Sequence, residues 1–169
     1  MTRSNKPFWL AITIPVIALS VAQQHPPKAR AEQVMNRHLL MEVNLAPSPK
    51  ETTLEIGLTA KGAKPIRLYQ DSLPWESRYS MVLIAVKANR TGDLLKKYMP
   101  VDDPGVTVVV LNPGQPMKGR IALNKRFPDL VQTLQESDVL LFWSYQLEPL
   151  DGAPLERQGG WLLIPKSRD

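Results

Sequence analysis

Short runs with strand-like hydrophobic patterning recur along the chain beyond residue 37, and the longest run rich in aromatic, aliphatic and β-branched residues outside the N-terminus spans residues 138–147. This stretch reads Asp-Val-Leu-Leu-Phe-Trp-Ser-Tyr-Gln-Leu and holds neither Gly nor Pro. Aliphatic, aromatic and β-branched residues in such a run predict a long, well-covered strand. Val139, Leu141, Trp143, Tyr145 and Leu147 share the face expected to line the core. Leu140 and Phe142 share the opposite face, so the first half of the strand is expected to be covered on both sides.

The remaining elements follow from the same reading. Residues 38–45 alternate imperfectly until Pro47 and Pro49 end the run. Residues 53–60 alternate cleanly, with Leu54, Ile56 and Leu58 on one side. A short link and Pro65 lead into residues 66–69, and the two runs together read as a hairpin. Residues 70–80 are irregular, and Pro74 favours an extended Leu73, making Leu73-Pro74-Trp75 a stiff loop expected to be exposed. Residues 81–88 form a strongly apolar strand, whereas residues 90–97 fit a helical turn and a short edge strand equally well. Turns are expected at Asp103-Pro104-Gly105 and at Asn112-Pro113-Gly114-Gln115, the second of type II with Gly114 at positive φ. They flank a β-branched strand over 106–111.

Residues 119–123 alternate again. The period then changes: Phe127, Leu130, Val131 and Leu134 form the stripe of a short amphipathic helix over 127–134, with Pro128 in its first turn. Asp151-Gly152 and Gln158-Gly159-Gly160 read as loop punctuation before a final strand at 161–164. Trp161 is expected to pack inward, against Trp143. Seven to nine short strands, Pro/Gly turns and one short helix predict an all-β, antiparallel immunoglobulin-like β-sandwich over residues 38–169. The resemblance is one of architecture, since the Cys-Trp-Cys pattern of antibody domains is missing. It favours a binding role without specifying one.

The N-terminus changes the picture of where this domain works. Arg3 and Lys6 precede an uncharged apolar run over residues 8–22, and Ser20-Val21-Ala22 presents small residues at the positions a signal peptidase reads. Residues 1–22 are therefore expected to be a signal peptide preceding the domain, with residues 23–37 a flexible arm. Ala29-Arg30-Ala31 offers a second cleavage point, and an uncleaved segment is the remaining reading and the only expected route to a membrane. The expected location is periplasmic or secreted. Loss of Arg3 and Lys6 lowers the formal charge from +5 to +3, a balance that favours solubility and requires no nucleic acid. The chain has no Cys, so this domain relies on its core where many exported domains use disulfides.

Catalytic chemistry finds little support. Cysteine nucleophiles are excluded, and the two His residues, His25 in the arm and His38 at the first strand, support neither a Ser-His triad nor a zinc site. No enzyme activity, cofactor or metal is expected. Asp102 and Asp103 form an acidic turn without the ligand spacing of a calcium loop. Partner-binding candidates are Leu73, Pro74 and Trp75 in the stiff loop, because Trp is favoured at interface hot spots, although a loop Trp more often closes the end of the core. Arg120, Lys125 and Arg126 join them, a basic set suited to an acidic surface and equally to guarding a strand edge. The expected function is binding of another protein or an envelope polymer. Two other readings stand beside it: an inhibitor inserting the Leu73-Pro74-Trp75 loop into an exported hydrolase, and a carbohydrate- or calcium-binding subunit.

Overall fold

The computed structural model describes residues 38–47, 51–99, 101 and 105–167. The expected signal segment and arm, and the paired Asp102 and Asp103, lie outside these residues. The protein is mostly β, and its named strand pairings are all antiparallel. Strands β1 (Leu39–Pro47), β2 (Thr52–Ala60) and β6 (Met117–Ala122) form one sheet in the order β1-β2-β6. Strands β4 (Met81–Lys87), β7 (Val139–Tyr145) and β8 (Gln158–Ile164) form a second in the order β4-β7-β8. Strands β3 (Ile66–Tyr69) and β5 (Val108–Leu111) pair as a ribbon, and two short helices, α1 (Leu123–Arg126) and α2 (Leu130–Glu136), separate β6 from β7.

All three sheets contribute side chains to one apolar core. β7 supplies its centre, for Val139, Leu141, Trp143 and Tyr145 are buried together with Leu147 just beyond the strand. From β1, β2, β4 and β8 come Leu39, Met41, Val43, Leu54, Ile56, Leu58, Met81, Leu83, Leu162 and Ile164. Asn112 to Gln115 makes the expected turn, with Gly114 at φ 69° and the Gln115 N–H donating to the Asn112 carbonyl at 3.2 Å.

Several expectations are corrected. β2 does not form a hairpin with β3: β1 and β6 occupy its two edges, and β3 pairs with β5 instead. The helix expected over 127–134 starts only at Leu130 and runs to Glu136, and an unexpected short helix, α1, precedes it and ends where Pro128 holds Phe127 extended (φ −126°, ψ 92°). On α2 the buried positions are Leu130, Thr133 and Leu134, while Val131 is exposed. Residues 90–97 form neither a helix nor a named strand, although Leu94 bridges to Val86 beside β4.

The largest correction concerns β8, which begins at Gln158 and so includes both glycines read as loop. Trp143 stands opposite Gly160, and its indole lies across that glycine so closely that a Cβ there would sit 3.1 Å from the ring. A glycine inside a strand marks such a close approach. Gln158, also buried, donates its Nε2 hydrogen to the Leu39 carbonyl at 3.2 Å, tying β8 to β1. Because strand side chains alternate, placing Gly160 inward also places Leu162 and Ile164 inward and turns Trp161 outward. Trp161 is 56% exposed and does not pack against Trp143.

Truncating Trp143 to Ala removes the ring that fixes this arrangement and should cost about 3–5 kcal/mol in urea unfolding. A loss well below 1 kcal/mol would show that the ring is not a core element.

Candidate functional site

The two three-stranded sheets differ on their outward faces. Across β1-β2-β6, Glu42, Asn44, Glu55, Lys118 and Arg120 point away from the core around Gly57, lining a polar groove. Arg120 and Glu55 are cross-strand partners joined by a 2.8 Å ion pair. This is the usual outcome for an antiparallel sheet with one solvated side.

Across β4-β7-β8 the outward face is apolar. Val82 and Ile84 on β4, Phe142 on β7, and Trp161 and Leu163 on β8 are 44%, 45%, 42%, 56% and 37% exposed. The register sets Ile84 opposite Phe142 and Phe142 opposite Trp161, so one continuous row crosses all three strands. A second row runs through Val86, Leu140 and Leu163, with Leu140 and Val86 half-buried. Ser144, between Val82 and Gly159, begins the polar end, where Arg157 donates to the Ser144 hydroxyl and to Gln146 Oε1 at 3.4 and 3.0 Å. With ordinary large side-chain areas of about 150–250 Å², the five exposed residues leave roughly 400 Å² of apolar surface open. A patch of that size on a monomer is commonly functional.

The stiff loop expected to present Leu73, Pro74 and Trp75 turns them inward. Leu73 and Pro74 are buried, and Trp75 is half-buried against the core. The loop is held by its own hydrogen bonds. The Ser80 hydroxyl donates to the Leu73 carbonyl at 2.7 Å, and the Tyr145 hydroxyl donates to the Ser72 carbonyl at 3.0 Å. The Trp75 indole lies on Gly119 of β6, where a Cβ would overlap the ring atoms. Like Trp143 on Gly160, this is a tryptophan closing the core over a glycine on an edge strand.

The basic candidates are not brought together as one patch. Arg120 points outward from β6 and is paired with Glu55, while Lys125 is exposed on α1. Arg126 is buried, and its Nη2 donates to the Ser77 carbonyl at 3.3 Å, joining α1 to the 70–80 loop. Lys97 lies close enough for partial burial and then the Arg126 guanidinium to hold its amine below the ordinary lysine range. Among the described residues, no three His, Cys, Asp or Glu side chains are grouped to hold a metal ion.

The apolar face was missed by sequence reasoning, although its members were visible. Leu140 and Phe142 read as covered on both sides, and Val82 and Ile84 simply as part of a strongly apolar strand, whereas Val82, Ile84 and Phe142 stand exposed beside Trp161. Compared with known proteins, the chain matches no family model and no curated protein sequence.

Two outcomes follow for the inward-turned loop and the tyrosine that fastens it. Gly119→Ala must expel the Trp75 ring, and it should destabilise the fold by about 1–3 kcal/mol with a red shift in tryptophan emission. An unchanged melting temperature and spectrum would contradict the stacking. Burial, and secondarily the Glu148 carboxylate, raise the Tyr145 hydroxyl well above the ordinary tyrosine range. The folded state therefore holds that proton more tightly than the unfolded chain. Its contribution to stability is complete below pH about 10 and falls as pH rises beyond it. Tyr145→Phe should flatten the alkaline limb of the stability curve, whereas an unaltered limb would assign that loss to other groups.

Proposed function

We propose that this chain is an exported, non-enzymatic binding protein of immunoglobulin-like β-sandwich fold. Its proposed docking surface for another protein is the apolar outer face of β4-β7-β8. Periplasmic or secreted location rests on the charged, apolar and small-residue pattern of residues 1–22. The fold assignment is supported by strand order. With β3 taken as an insertion, β1, β2, β4, β5, β6, β7 and β8 correspond to strands A to G. The orders β1-β2-β6 and β4-β7-β8 are then A-B-E and C-F-G, which match the A-B-E-D and C-F-G sheets of an immunoglobulin-type sandwich except that β5, in the place of D, pairs with β3 and not with β6.

The observation that carries the binding role is the row Ile84–Phe142–Trp161 standing in solvent. The opposite sheet shows that this chain readily places charged residues outward, and here it does not. Large aromatic side chains surrounded by aliphatic neighbours have the composition of an interface hot spot. The chemistry favours a protein partner with an uncharged apolar patch. A charge pressed against Phe142 and Trp161 would lose its water without gaining a counter-ion. An envelope polysaccharide would need several hydrogen-bonding groups, and the side chains of the central rows offer only the Trp161 indole N–H. Inhibition through Leu73-Pro74-Trp75 is less well supported, since Leu73 and Pro74 are buried and Trp75 packs against the core.

Phe142→Asp places a charge at the centre of the face without touching the inner side. It should abolish capture of envelope proteins by the immobilised protein while changing unfolding free energy by no more than about 1 kcal/mol. Glu42→Lys on the opposite sheet should leave capture intact. Equal capture by the wild type and Phe142→Asp would refute the reading.

A further inference from the structure

The outward edge of β8 bears on how the apolar face is used. β8 pairs with β7 on one side, and among the described residues no strand pairs with its other edge. The opposite edge of the same sheet is protected. There Lys87 N–H donates to the Asp93 carbonyl at 2.8 Å and Leu95 N–H to the Ala85 carbonyl at 2.9 Å, so residues 93–95 cover β4. The other long edge strands carry charge: β1 holds Glu42, β4 Lys87, and β6 Lys118 and Arg120. β8, Gln-Gly-Gly-Trp-Leu-Leu-Ile, holds neither charge nor proline. Exposed strand edges ordinarily carry such features because they suppress pairing with other chains.

The sequence of β8 is also complementary to itself. When two copies run antiparallel with Trp161 opposite Trp161, Gly160 meets Leu162, Gly159 meets Leu163, and Gln158 meets Ile164. The small residues of each strand thus receive the large residues of the other on both faces. Directly opposed residues in an antiparallel pair point to the same side. The two apolar outer faces would then join into a single surface. Pairing takes the exposed apolar area from roughly 400 Å² to about 800 Å², the share each partner contributes to an interface of standard size.

We propose that two copies of this protein associate through β8, antiparallel and centred on Trp161, to form a continuous six-stranded sheet with one shared apolar face. The association is isologous, so it closes at two copies and leaves no free β8 edge for further growth. It concerns the strand edge, whereas the proposed docking of another protein concerns the face.

The native chain has no cysteine, so single cysteines report the register without background. Under mild oxidation Trp161→Cys should form a disulfide-linked dimer, because position 161 faces its own copy within disulfide reach. Leu163→Cys should remain uncrosslinked, because four residues of strand place the two copies of position 163 about 13 Å apart. The wild-type protein should sediment as a dimer, and Leu163→Lys, which puts a charge on the edge strand, should shift it to monomer with an unchanged circular dichroism spectrum. Wild-type protein that stays monomeric at high concentration would overturn the proposal, as would equal crosslinking at both positions. Loss of capture by Phe142→Asp in such a monomer would still uphold docking on the face, which separates the two readings.

Discussion

The fit of Trp143 against Gly160 is the constraint from which the arrangement of this protein follows. Gly160 faces the core beneath the indole, where even a Cβ would sit a tight 3.1 Å from the ring. Strand parity then leaves β8 no freedom. Leu162 and Ile164 are buried, Gln158 reaches Leu39, and Trp161 and Leu163 are left outside. A slip of one residue would bury Trp161 and expose Leu162 and Ile164, and in one of its two directions it would also set Trp161 itself opposite Trp143. The exposed apolar face is thus produced by the same contact that completes the core.

The other end of the core uses the same device. Trp75 covers Gly119 on β6, and its loop is fastened by Tyr145 from β7 and Arg126 from α1. Both closures place a large ring over an edge strand, which lets a chain without disulfides seal its interior at those strands. One consequence is functional. The Leu73-Pro74-Trp75 loop is a structural plug, and the side chains left open to a partner are those of Val82, Ile84, Phe142, Trp161 and Leu163.

The sequence made the elements legible where alternation was strong and glycine had its ordinary meaning. β7, the inner side of β2 and the turn at Gly114 were all readable, as was an antiparallel all-β fold. What escaped it were features that depend on a residue distant in sequence. Gly159 and Gly160 read as a loop because nothing local says that Trp143 will occupy the space above Gly160. Trp161 read as core because a tryptophan beside Leu-Leu-Ile ordinarily is. Arg126 lies among basic surface residues, and only the Ser77 carbonyl explains its burial. The partners of β2 depended on residues 117–122, whose pairing with it no local pattern announces. The candidate site was hidden for a simpler reason: an outward apolar row and a doubly covered strand have the same sequence.

Hydroxyl-radical footprinting of the isolated protein distinguishes those two cases directly. The account predicts rapid oxidation at Phe142 and Trp161, slow oxidation at Trp143 and Tyr145, and protection of Phe142 once a partner binds. Equal protection of Trp161 and Trp143 in dilute, isolated protein would contradict it, because the parity of β8 would then be the reverse of the one described.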